Sequence, residues 1–221
     1  MITSFDEFQY FTGVILITRE TFQGSTNLES ITFSADLSKI DVGTFQNLDK
    51  LVIEDLSLEN LTFLGNSAFQ GTKIKRISNL GKITDAGIAT FMNCTNLTEV
   101  TFPDVITIIK NSFFKNCINL SKVVIPSSLK EVWDSAFEGC TSYESIVLPG
   151  SIVSIGNGAF KNCTSMRNIT ILATNPPSIG PYNVFTNTND CPIYVPATSV
   201  AAYKAATNWS NYASRIQAIT D

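Results

Sequence analysis

The chain has 221 residues, 44% of them hydrophobic, with a formal net charge of -4 and a pI near 4.9. This is ample for a core and too apolar for a disordered chain, and without any block of like charges it argues against nucleic acid and anionic membrane surfaces as partners. The longest apolar runs, such as 14–17 and 123–126, fall far short of the roughly 20 residues that a membrane-spanning helix needs, so membrane insertion is not expected. The start shows no succession of basic, apolar and small residues that would mark a secretion signal, which leaves the compartment open.

In chain order, the first feature is a period. Phenylalanine recurs at Phe22, Phe45, Phe69, Phe91, Phe114, Phe137, Phe160 and Phe185, at intervals of 23, 24, 22, 23, 23, 23 and 25 residues. Early units keep the frame with weaker lettering, as in Leu28, Ile31, Phe33, Leu37 and Ile40. The unit from Phe69 to Phe91 lacks the proline of later units and carries Lys73 near a position that becomes cysteine downstream, so an irregular turn is expected there. From Phe91 the pattern is full: Cys94, Leu97, Val100, Phe102 and Pro103 lead to Ile106 and Ile109, and the next two units repeat it place for place through Val132 and Ile155.

Apolar steps of three with one step of two fit neither a helix of 3.6-residue period nor a long alternating strand. The two-residue step marks a short strand, and the proline after it ends the ladder by removing a donor. Strands are therefore expected at about 30–33, 51–53, 76–78, 99–102, 122–125, 145–148 and 168–171. A unit of this size buries its apolar face only on the next, which predicts strands stacked into one continuous, curved parallel sheet. The second apolar step, Leu129 to Val132 or Ile152 to Ile155, should be extended or a short 3₁₀ piece on the far side, followed by a turn such as "GNGAF". At the end, "ATSVAAYKAATNW" predicts a cap helix over about 199–206, with Val200 and Tyr203 facing the last turn near Ile193 and Val195. Thr198 or Ser199 would accept a first-turn amide, and Trp209, Tyr212 and Ile216 would pack behind.

Cys94, Cys117, Cys140 and Cys163 fall 23 apart. Zinc sites use pairs two to four residues apart, whereas one thiol per turn makes a file about 5 Å in spacing, so buried, reduced and metal-free thiols are expected. Cys191 stands off that file and should pack inside the closing turn. The chain has no histidine, which removes imidazole-based nucleophile activation and histidine-bearing zinc sites. Glycine-rich phosphate loops are also absent. A carboxylate pair would still suffice for a glycosidase, but the 19 acidic residues are scattered, and Glu99 or Asp104 read as solvated side chains. The Asn-x-Ser/Thr triplets at Asn93, Asn162 and Asn208 read as turn residues.

The stretch "AFEGCTSYESIVLPGSIVSIGNGAFKNCTSMRNI" resembles the leucine-rich repeats of BspA-like bacterial surface proteins of Bacteroides type. The resemblance covers nearly the whole chain. Its start resembles a repeat entered midway, and its end resembles the terminal strand and helix of the gut members. It implies an α/β leucine-rich repeat solenoid, rich in strand with little helix, forming a single domain over 1–221: a partial first repeat over 1–21, repeats over 22–185, and a closing strand and cap over 186–221. It also implies a secreted or surface-anchored, non-catalytic protein, free of cofactors and monomeric, that mediates adhesion or protein binding to host matrix or other surface proteins. A glycan ligand, a spacer role within a larger surface protein, and a carbohydrate-active enzyme are the alternatives.

The register places one outward column at Ser30, Lys50, Arg76, Glu99, Lys122, Ser145 and Asn168, and a second at Thr32, Val52, Ser78, Thr101, Val124, Val147 and Thr170. Elsewhere, the place after the core residue that precedes each closing phenylalanine holds Gly65, Gly87, Gly156 and Gly180 but Trp133 in one unit, a large aromatic in a small column. The candidate partner-binding surface is thus Lys50, Arg76, Glu99, Thr101, Lys122, Val124, Trp133 and Val147.

Overall fold

A computed structural model describes residues 2–220; Met1 and Asp221, the end points of the expected domain, lie outside the described residues. The chain coils as a parallel-strand solenoid, and each full turn has three sides.

The first side carries the main sheet. It is not continuous as expected: Glu99–Thr101 lies between Arg76–Asn79 and Lys122–Val124, whereas Ser145–Leu148, Asn168–Ile171, Ile193–Val195 and Ile216–Ala218 form a separate run, in register among themselves and unpaired with Lys122–Val124. The second apolar step is extended, as one of the two expected forms, and it builds a further parallel sheet. Leu16–Ile17, Lys39–Ile40 and Phe63–Leu64 pair in one part of it, and Ile108–Ile109, Glu131–Val132, Ser154–Ile155 and Ser178–Ile179 in another. On the third side, the amides of Asn47, Gly71, Asn93, Asn116, Gly139 and Asn162 each donate to a carbonyl of the next turn at 2.7–2.9 Å. These residues stand two places after a phenylalanine and have φ between 60° and 76°, a region that asparagine and glycine enter most readily. Asn93, Asn162 and Asn208 are thus turn residues with left-handed backbones, as read from sequence.

The core runs along the axis as files of identical residues. The closing phenylalanines follow ring on ring from Phe22 to Phe185, with centroids 5.0–6.0 Å apart, all stacked except the tilted pair Phe114 and Phe137. Phe5 covers one end at 5.9 Å and Trp209 the other at 5.9 Å. A second file is the thiols. Cys94, Cys117, Cys140 and Cys163 each donate to the carbonyl of the phenylalanine one turn back, Phe69, Phe91, Phe114 and Phe137, at 3.1–3.2 Å. Each of these carbonyls also accepts the amide three residues on, as Phe91 does from Cys94 at 3.1 Å, so the thiol adds a second, weak donor while its small apolar bulk fills the dry core.

The irregular turn begins one unit earlier than expected. Between Leu51 and Asn79 each pass splits into two short strands, Val52–Ile53 with Leu56–Ser57, then Lys73–Ile74 with Arg76–Asn79, and the register slips between Leu56 and Ser57. Thr72, not Lys73, occupies the cysteine position, its hydroxyl bonded to the Phe69 carbonyl at 2.8 Å. Lys73 instead lies in a strand opposite Val52.

The cap helix is Val200–Ala205, entered through a 3₁₀ turn at Ala197–Ser199. The expected hydroxyl cap is absent: Ser199 already has a helical backbone, φ -102° and ψ -7°, and makes no side-chain capping bond. Tyr203 and Trp209 are buried, and their polar atoms reach the Ala173 and Pro177 carbonyls at 2.8 and 2.7 Å. Ile216, expected only to pack, also opens the last strand of the main sheet.

Candidate functional site

The outer face of the main sheet brings together part of the expected surface. Register sets Arg76, Glu99 and Lys122 side by side, and Thr101 beside Val124. Lys50 does not join them. Val52 is the residue in register with Lys73, so Lys50 falls in the turn ahead of its strand, where its ammonium meets the Asn27 side chain at 3.1 Å. The column was misplaced by two residues because the split strands of that unit move the frame.

The charged column neutralises itself along the axis. Arg76 pairs with Asp55 at 2.8 Å, Lys122 with Glu99, and Arg167 with Glu144 at 3.2 Å. Partial burial acts to raise the Asp55 carboxyl, but hydrogen bonds from Arg76 and Ser78 outweigh it and hold the group below its ordinary range. On the phenylalanine side Glu138 bridges Lys115 at 2.8 Å and Lys161 at 3.3 Å. Carboxylates committed in this way are not poised as an acid and base pair. No group of three or more His, Cys, Asp or Glu among the described residues is placed to hold a metal ion.

Next to these pairs the face is apolar. Val124 is 44% exposed and Val147 53%, with Leu172 at 46% close by. Trp133 lies away from this face, at the end of the strand Glu131–Val132. It is half-buried, and its indole N–H donates to Glu131 Oε2 at 2.7 Å beside a groove of about 450 Å³ that Asn111 and Asp134 also line. Its neighbour Gly156 is glycine for a packing reason, since a Cβ there would lie 2.5 Å from the Asp134 nitrogen.

All five cysteines are free and buried among the described residues, Cys191 included, which touches Arg215 in the closing turn. Burial pushes the Cys94 thiol up to about 11 and Cys163 to about 12, and holds Cys117 and Cys140 well above the ordinary thiol value. At pH 8 almost none of the file is thiolate, so a thiol reagent should modify the native protein far more slowly than the urea-unfolded chain. Rapid labelling of two or more of the four, followed by mass spectrometry, would contradict this, as would zinc recovered in stoichiometric amount.

The solved structures similar to this chain share its fold. One is a leucine-rich repeat protein from Bacteroides ovatus, 23% identical, with 88% of this chain and 59% of that chain covered and a TM-score of 0.62. Another is a leucine-rich cell surface protein from Faecalibacterium prausnitzii, 19% identical, covering 85% and 60% with a TM-score of 0.62. The pneumococcal vaccine antigen PcpA is 15% identical, covering 93% and 65% with a TM-score of 0.51. The chain thus spans about three fifths of the length of the first two. A search of curated proteins finds no match. The family model for the BspA type leucine-rich repeat region matches in 6 copies over residues 2–120 and 84–205. With the phenylalanine and thiol files running through those residues, the chain belongs to the BspA-type leucine-rich repeat family.

Proposed function

We propose that the chain is a non-catalytic protein-binding module displayed outside the cell, and that it docks partners on the outer face of the main sheet. The observation that carries this reading is the exposed apolar strip of Val124, Val147 and Leu172 beside charges that already neutralise one another. A spacer needs no such strip, and apolar area left open on a rigid, repeated surface favours association with another protein. The cell-surface description of the Faecalibacterium prausnitzii relative supports an extracellular setting. No helix among the described residues is long and apolar enough to cross a membrane.

The test is an array of purified matrix proteins and glycans probed with the monomeric protein and with a Val124→Asp/Val147→Asp variant. Both positions face outward, so the variant should melt like the parent. Binding to a protein spot that falls at least about tenfold in the variant, equivalent to about 1.4 kcal/mol, is the expected result. Binding to glycans alone, or protein binding indifferent to the variant, would overturn the reading.

A further inference from the structure

The main sheet is interrupted in mid-array. Lys122–Val124 is bonded to Glu99–Thr101, and Ser145–Leu148 to Asn168–Ile171, but the two inner strands are not bonded to one another. The same two turns stay stacked everywhere else. Asn116 N–H meets the Glu138 carbonyl at 2.7 Å, Gly156 N–H meets Val132 at 2.7 Å, and Glu131–Val132 pairs with Ser154–Ile155. The gap is also closed at both ends, by Ser142 N–H on the Ile118 carbonyl at 3.1 Å and by Ser151 Oγ on Ser127 at 2.7 Å.

Tyr143 stands at the head of this gap, where neighbouring turns have Leu97, Leu120 and Met166. It is buried, with its ring stacked on Phe137 at 5.6 Å. A phenol is longer and stiffer than leucine, and in a close-packed file the added volume must be taken up by the neighbouring strand. The inward columns record the result: Val100, Ile146 and Ile169 are buried, whereas Val123 between them is only partly so, and Ile125 is likewise opened beside Leu148. A cleft of about 450 Å³ remains, lined by Val123, Ile125, Tyr143, Ile146, Val147 and Leu172 among others.

Its edges carry backbone groups. Lys122 N–H donates to Thr98, so by the alternation of a parallel ladder the amides of Val123 and Ile125 turn toward the gap. Across it, Glu144 and Leu148 offer their carbonyls to Arg167 and Leu172, which leaves Ser145 and Val147 facing the gap. Alternating donors and acceptors at strand spacing, above an apolar floor, complement one kind of ligand: another extended chain. A sugar would leave the floor uncovered, and a small amphiphile would leave the edge unpaired.

We propose that this cleft receives an extended segment of the partner protein, pairing its backbone with the edge of Ser145–Leu148 and setting an apolar side chain between Val123 and Ile125. The inference rests on the protein-binding reading above and names the part of the partner that is held. The probe is a labelled Thr-Val-Thr-Val-Thr-Val peptide, followed by fluorescence anisotropy, with the same peptide N-methylated at its valines as the control that cannot donate. Tyr143→Leu supplies the residue of the paired turns and should fold well, closing the sheet. The parent should bind the plain peptide, and both N-methylation and Tyr143→Leu should weaken binding at least about tenfold. Amide exchange at Val123, Ser145 and Val147 should be fast in the free parent, and slow both with peptide and in Tyr143→Leu alone. No binding up to about 1 mM, equal affinity for the methylated peptide, or unchanged binding by Tyr143→Leu each overturns the cleft. A dimer abolished by Tyr143→Leu would overturn it in favour of a second copy of the chain. An array partner that is lost by Val124→Asp/Val147→Asp but retained by Tyr143→Leu sinks the cleft while leaving the outer face as the docking site.

Discussion

Phe137→Ala is expected to lower the stability of the chain by about 3–5 kcal/mol, the range for removing a large aromatic from a packed core. The ring is fully buried and has a ring neighbour on each side, Phe160 stacked at 5.3 Å and Phe114 tilted at 5.5 Å, with Tyr143 at 5.6 Å as a third. The cavity cannot collapse easily, because the turns above and below are held on the third side by Asn116 and Gly139 amides with fixed partners. In a solenoid each turn is supported only by its neighbours, so a mid-array loss weakens two interfaces at once. The urea midpoint should fall with the slope nearly unchanged. Phe137→Leu, which keeps most of the volume, should cost much less. A loss below about 1 kcal/mol for the alanine variant would mean that the file carries little of the stability.

That file was legible because it is written in one letter: a ring every 22 to 25 residues has no helical or strand explanation, and stacking follows from the period. The thiols were legible for the same reason, although their partners, the carbonyls of Phe69, Phe91, Phe114 and Phe137, were not, since a backbone acceptor leaves no mark in sequence. Left-handed backbones recur two places before each phenylalanine as Glu20, Gly43, Ser67, Ala89, Ser112, Ser135, Gly158 and Asn183. Only the glycines and the asparagine there have the letters that advertise such a conformation; the turn imposes it on the rest. The candidate face was legible where strands are regular, as at Glu99, Thr101, Lys122 and Val124, and failed at Lys50, where two short strands replace one. The break in the sheet escaped notice because Tyr143 fits the hydrophobic pattern as well as leucine does. Pattern records polarity, whereas pairing between turns depends on volume.

Removing residues 197–221 should make the chain aggregate and lower its melting temperature. An array of stacked strands ends in an open edge and in exposed apolar files, and both need cover. The structure supplies three covers. Ile216–Ala218 pairs with Ile193–Val195 and occupies its free edge. Trp209 closes the phenylalanine file against Phe185, and Tyr203 lies edge-on to Trp209 at 5.1 Å, both fully buried. Arg215 ends the carbonyl file, with Nη1 on the Phe185 carbonyl at 3.2 Å and Nε on Cys191 at 2.8 Å, where a further turn would have brought its own donors. Deletion bares Phe185, Ile193 and Val195 together and leaves a strand edge ready to pair with another chain. Trp209→Ala separates the packing from the edge: it should cost about 3–5 kcal/mol, part of it from the Pro177 carbonyl that loses its indole donor, while the last strand still blocks association. Size-exclusion chromatography and calorimetry on both variants decide the matter. A truncated chain that elutes as a single monomer peak with an unchanged melting temperature would show that the array is finished without its cap.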